Sequence, residues 1–207
     1  MSAGVALDHF IFGAPDLDDG IREVADRLGV APALGGVHPT MGTANALLSL
    51  GGQVYLEVLA PAPGHTEFKG FGAQLAGLKA PSIVNWAAQA SDLDAVAAAA
   101  RAAGLSPYGP TPGSRRTEAG DLLQWRMLPI GGHAFGTFIP FFIDWGATPH
   151  PATTSPAGPR LTRFSVAHPR AAELSGIYRA LGLDIEVAEG PTPRFTAEVD
   201  GAVFTGP

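Results

Sequence analysis

The chain has 207 residues, 46% hydrophobic and only 15% charged, with a net charge of -6 and no cysteine. So much apolar material with so little charge excludes a disordered chain, glycines without a three-residue period exclude collagen, and the acidic balance argues against general affinity for nucleic acid. Without cysteine there is no disulfide, thiolate metal site or cysteine nucleophile.

Gly 27 and Pro 19 together exceed a fifth of the chain, against roughly 12% in an average globular protein, so short elements and many turns are expected. Met1 to Val5 lacks a basic region followed by an apolar run, which predicts no secretory leader and a cytoplasmic location. No apolar run reaches the length of a membrane span; Ala134 to Trp145 is interrupted by Gly136 and Pro140. Leu7 to Pro15 is rich in β-formers and stops at a proline, which predicts a strand. Asp16-Leu17-Asp18-Asp19 then opens a helix, with acidic groups where the N-terminal dipole favours them. Leu17, Ile21, Val24 and Leu28 recur at helical spacing, and Gly29 ends the run. Short strands follow over Leu34 to His38, Thr43 to Leu50 and Gln53 to Leu59, the last two split by Gly51-Gly52.

The same grammar then returns. Ile83 to Ala90 reads as a strand, Asp92-Leu93-Asp94 repeats Asp16-Leu17-Asp18, and Ala95 to Ala103 is a helix closed by Gly104. Leu122 to Ile130 and Phe135 to Trp145 are strand-like, split by Gly131-Gly132. A third copy begins with the strand Leu161 to Pro169 and the helix Arg170 to Ala180, stopped by Gly182. The unit is a strand, a helix and two or three antiparallel strands, so the fold class is α+β. The expected organisation is a main domain over 1-147, with module one at about 5-78 and module two at about 80-147. A stiff Pro-rich linker over 148-159 and a truncated βαββ module over 160-207 complete it.

Few residues in these apolar strands can carry chemistry. His9 lies on the opening strand and Glu57 in the last strand of the first unit. A buried carboxylate needs a partner. If the unit curls so that its opening and closing strands are neighbours, His9 and Glu57 meet on the concave face, with Leu7, Ile11, Tyr55 and Leu59 forming an apolar surround. Imidazole plus carboxylate is also a reasonable half of a divalent metal site. His38, in a Gly-rich approach to a strand, is the candidate third ligand, completing the facial pattern that leaves positions open for substrate. Thr43, Asn45, Tyr55, Asn85 and Arg126 are the further candidate substrate contacts, with Arg126 as a clamp for an anion or else a solvent-facing strand residue. Arg115-Arg116 reads as a solvated turn, Trp86 and Trp125 as core, and His65, His133, His150 and His168 have no assigned role. Gly51-Gly52 and Gly131-Gly132 are hairpin signals rather than phosphate loops, so no nucleotide cofactor is expected.

A repeated βαβββ module with His9 on its first strand and Glu57 on its last resembles the vicinal oxygen chelate superfamily, which includes glyoxalase I, extradiol dioxygenases and drug-binding resistance proteins. Leu7-Asp8-His9, Gly42-Thr43-Ala44-Asn45, Tyr55-Leu56-Glu57 and Phe138 to Trp145 resemble its glyoxalase-like subgroup. The resemblance implies paired modules forming a curved mixed sheet of half-barrels, and a homodimer. It also implies metal ligands from the first and last strand of each module. Module one matches with His9 and Glu57; module two departs, with Asn85 at the position of His9 and Pro140 or Phe141 at that of Glu57.

Two functions follow. One is a lyase or isomerase, less readily a dioxygenase, in which a divalent metal (Zn, Ni, Mn or Fe) on His9, Glu57 and His38 holds two adjacent oxygens of a small molecule. The other is a metal-free binding protein using the same cup to sequester a small hydrophobic molecule.

Overall fold

Residues 4–38, 41–64, 71–116, 120 and 122–207 are described by the computed structural model of the chain; His65 lies outside them. The first strand forms as β1 (Ala6–Gly13), and the following helix α1 (Leu17–Leu28) starts where the carboxylate of Asp16 accepts from the Asp19 amide. It stops at Gly29, whose φ of 71° suits glycine. Then come β2 (Ala33–His38), β3 (Thr43–Ser49), β4 (Tyr55–Pro61) and a short α2 (Phe71–Ala76). The second unit runs β5 (Ser82–Gln89), α3 (Leu93–Ala102), β6 (Ser106–Pro107), β7 (Thr111–Arg116), β8 (Leu122–Leu128), β9 (Ile130–Gly131) and β10 (Phe141–Asp144). Asp92 caps α3 as Asp16 caps α1. After α4 (Pro151–Thr154), the third unit is β11 (Leu161–His168), α5 (Ala171–Ala180), β12 (Glu186–Glu189), β13 (Arg194–Val199) and β14 (Ala202–Gly206).

Two differences from the sequence reading have local causes. The strand expected over Phe135 to Trp145 shrinks to Phe141–Asp144, because Gly136 takes a φ of 54° in a short 3-10 turn and Pro140 cannot donate to a ladder. The third unit carries three strands after its helix, one more than expected, in a sheet ordered β12-β11-β13-β14.

Both main units curl so that first and last strands pair in parallel: β1 with β4, and β5 with β10. The two halves join into a closed barrel ordered β1-β4-β3-β2-β7-β8-β10-β5. One junction is the long antiparallel β1–β5 ladder; the other, β2–β7, is a single pair, Val37 with Arg116.

Strand alternation divides β1 between two tasks. Phe10 and Phe12 point out of the barrel and are buried under the third sheet, meeting Phe164 and Phe204. Trp86, from β5, packs there against Phe164 and Tyr178. Each such ring withdrawn from water contributes roughly 1.5–3 kcal/mol, so this interface is a main source of stability. His9 and Ile11 point the other way, into the barrel. No helix among the described residues is long and apolar enough to cross a membrane.

Candidate functional site

The barrel interior holds a cavity of about 330 Å3, mostly apolar, into which His9, Glu57, Asn45 and Tyr55 project. Its polar centre begins with an irregularity in β1. Pairing of β1 with β5 shifts register between Leu7 and His9, leaving Asp8 as the extra residue of a bulge. Neighbours on a regular strand face opposite ways, but here the fully buried Asp8 reaches the ring beside it: His9 Nδ1 donates to Asp8 Oδ1 at 2.6 Å. The other oxygen accepts from Trp145 Nε1 and His150 Nε2, both at 3.0 Å. Burial alone would raise the Asp8 pKa, but the bonds from His150 and His9 outweigh it and hold the carboxyl below its ordinary 3.8. Asp8 is therefore a carboxylate that holds a proton of His9 on Nδ1 and turns Nε2 toward the cavity.

That Nε2 faces Glu57 Oε2 at 3.6 Å, beyond hydrogen-bonding distance. The opening and closing strands are neighbours as expected: in the parallel β1–β4 pair, His9 lies beside Tyr55 and Ile11 beside Glu57. Asn45 Nδ2 donates to the other oxygen, Glu57 Oε1, at 2.6 Å and fixes the carboxylate plane. The Tyr55 ring stacks on His9 with centroids 4.5 Å apart. Burial, with the charges of Asp8 and Glu57, pushes the Tyr55 hydroxyl well above its usual range, so it stays protonated.

The other candidates divide. His38 is buried and lines the cavity, with Nδ1 3.1 Å from Thr43 Oγ1. Burial, with help from Arg115 and His9, pushes it below 6.5 against the pull of Glu57, so it is neutral at pH 7. Thr43 thus touches His38 rather than the cavity centre. Asn85 lines the cavity, but its Oδ1 accepts from the Trp86 amide, and β5 sets it beside Ile11, not His9. Arg126 stands outside this group: it is half-exposed, does not line the cavity and is paired with Asp144 at 2.7 Å.

Several site residues carried no signal that sequence reasoning used. Asp8 depends on the bulge. His150, from the Pro-rich segment, is buried, caps α4 by accepting from the Ala152 amide at 3.2 Å, and holds Asp8 with its other nitrogen. Arg115, expected in a solvated turn, is buried on β7 and lines the cavity, with Nη1 donating to the Gly35 carbonyl. Burial pushes its pKa down, against the opposing pull of Glu57 and Tyr55. Trp125, expected in the core, lines the cavity instead. Its buried Nε1 has no acceptor, and the buried Asn45 Oδ1 has no donor.

The donor chemistry does not fit the expected three-ligand metal centre. His9 Nε2 and Glu57 Oε2 could share a cation, and the Asp8 bond behind His9 is what a metal-bound imidazole uses. A third ligand is missing: no group of three His, Cys, Asp or Glu among the described residues is placed to hold a metal ion, although the Thr43 bond takes only Nδ1 of His38. Phe141 and Asn85 stand where the second module would supply its ligands, and Phe141 turns its ring toward His9 at 5.7 Å between centroids.

Paired βαβββ units closed around a polar-centred cavity define the vicinal oxygen chelate fold. Residues 7–182 match the model of the glyoxalase-like domain family, and the chain belongs to that family. A hypothetical protein from Staphylococcus aureus has a solved structure that superposes with a TM-score of 0.66 at 17% identity, covering 97% of this chain and 85% of its own. Methylmalonyl-CoA epimerase from Mycobacterium tuberculosis is 25% identical, with a TM-score of 0.47 over 66% of this chain and 84% of its own. A variant of the Streptomyces coelicolor epimerase, solved with 2-nitronate-propionyl-CoA, gives 22%, 0.48, 69% and 95%. No curated protein matches the chain.

Proposed function

We propose that the chain is an isomerase or lyase that moves a proton at a carbon next to a carbonyl in a small molecule bound in the barrel. The observation that carries this reading is the 3.6 Å gap between His9 Nε2 and Glu57 Oε2, an imidazole and a carboxylate facing each other at an otherwise apolar cavity. A buried imidazole and carboxylate held this close can pass a proton to and from a bound molecule, and the pair is costly to bury if it serves only stability. In the proposed step His9 Nε2 takes the proton from carbon. The electron pair of the C–H bond moves toward the carbonyl, giving an enolate. The imidazolium then lies between the Asp8 and Glu57 carboxylates, which hold the charge until the proton returns to a new position or face, or a leaving group departs. His9 and Glu57 perform this without a resident metal.

A second reading, sequestration without turnover, is favoured by the mostly apolar lining of the cavity. Deuterium uptake from D2O into carbon-bound positions of 2-oxo acids, followed by proton NMR, separates the two. We expect catalysed exchange that falls roughly a hundred- to ten-thousand-fold in His9→Ala, falls in Glu57→Gln, and is unchanged by a chelator. No exchange above the rate in buffer, with binding intact, would favour sequestration. Loss of exchange on chelation would restore metal dependence.

A further inference from the structure

The two walls of the cavity have opposite hydrogen-bonding character. In the barrel order, β1 and β7 stand four places apart in either direction, as do β4 and β8. The strand that carries His9 therefore stands opposite the one that carries Arg115, and the strand of Glu57 opposite that of Trp125. The first wall presents the Glu57 carboxylate with His9 Nε2 facing it. The second presents donors. Arg115 is only 6% exposed, and among the described residues its side chain donates to the Gly35 carbonyl. No carboxylate among the described residues lies within ion-pair distance of it, and Trp125 Nε1, over Gly113 on the same strand as Arg115, is buried with no acceptor among them. A buried guanidinium with most of its donors idle is costly unless a ligand completes it.

We infer that Arg115, with Trp125 Nε1, is the subsite for a carboxylate, so that the substrate is a small organic acid spanning the barrel with its apolar body between the walls. A planar carboxylate matches the guanidinium fork, and its single charge balances that of Arg115. Glu57 on the opposite wall repels the same anion, so one orientation is favoured, with the reacting C–H toward His9. At roughly 30 Å3 per water-sized volume, the cavity takes on the order of ten non-hydrogen atoms, which suits such an acid. Arg115 also ties β7 to β2 at the junction closed by one backbone pair.

This assignment rests on reading His9 and Glu57 as the reacting end, and the experiment keeps the two apart. Binding of 2-oxopentanoate, 2-oxo-4-phenylbutanoate and 4-phenylbutanoate, each against its methyl ester, is measured by calorimetry on the full chain. In the wild type we expect at least one acid to bind about tenfold or more tightly than its ester. Arg115→Met should reduce that preference to within about twofold, and Arg115→Lys should keep part of it because the charge is retained. Glu57→Gln should keep the preference while losing exchange. No acid-over-ester preference in the wild type, which needs no variant to fold, overturns the subsite, as does a preference that survives in folded Arg115→Met. Exchange that fails while the preference holds strikes the proton-transfer reading instead.

Discussion

The two half-barrels share one plan and differ in what they turn inward. In the first, β1 and β4 put His9 and Glu57 into the cavity. In the second, the corresponding register of β5 and β10 places Phe141 beside Ala87, as Glu57 lies beside Ile11, and Asn85 spends its carbonyl on the backbone. The shared plan makes a barrel; the departures from it give that barrel a polar wall and an apolar, donor-bearing wall. Symmetry here explains the shape of the cavity, and asymmetry explains its chemistry.

The largest test of that contrast is Asp8→Asn. The amide offers one acceptor where three donors converge, so His9 loses its fixed tautomer. We expect exchange to fall roughly a hundredfold or more and stability to fall by about 3 kcal/mol, read by NMR and by urea unfolding. Retention of both would remove Asp8 from the site. A middle-sized effect comes from moving the carboxylate between halves: Phe141→Glu added to Glu57→Gln should recover about tenfold of the lost exchange, since position 141 already adjoins His9. No recovery in a folded double variant would mean that the two positions are not equivalent. The smallest effect concerns pH. Burial pushes His38 and His168 below 6.5, so the unfolded chain binds more protons than the folded one. Their contribution to stability is therefore full above pH 6.5 and lost as pH falls through their lowered values. Melting curves should decline over that range, less steeply in His38→Gln.

The barrel was readable because its punctuation is local. Asp16, Asp92, Gly29 and Gly104 act within one helical turn, and the alternation of β1 and β4 is enough to bring His9 to Glu57. What escaped depends on partners far along the chain. Asp8 reaches His9 only because β5 imposes a bulge. His150 and Trp145 reach Asp8 from 142 and 137 residues away. Arg115 sits in a stretch with Pro110, Pro112 and Gly113 that reads as a loop, yet β8 pairs with it over six residues. Gly113 is needed there, since a β-carbon would lie 2.3 Å from Trp125 Nε1. The expected three-ligand centre has no counterpart among the described residues, because lining the same cavity does not bring His38 close enough to His9 and Glu57 to form one ligand group.

The double duty of β1 also limits how the chain can change length. Phe10 and Phe12 fill the contact with the third sheet while His9 and Ile11 line the cavity. Inserting or deleting one residue between His9 and Gly13 would exchange these two sets, driving aromatic rings into the cavity and leaving the sheet contact without its rings. Point substitutions at Ile11 can resize the cavity, but the strand's residue count is fixed by two interiors at once.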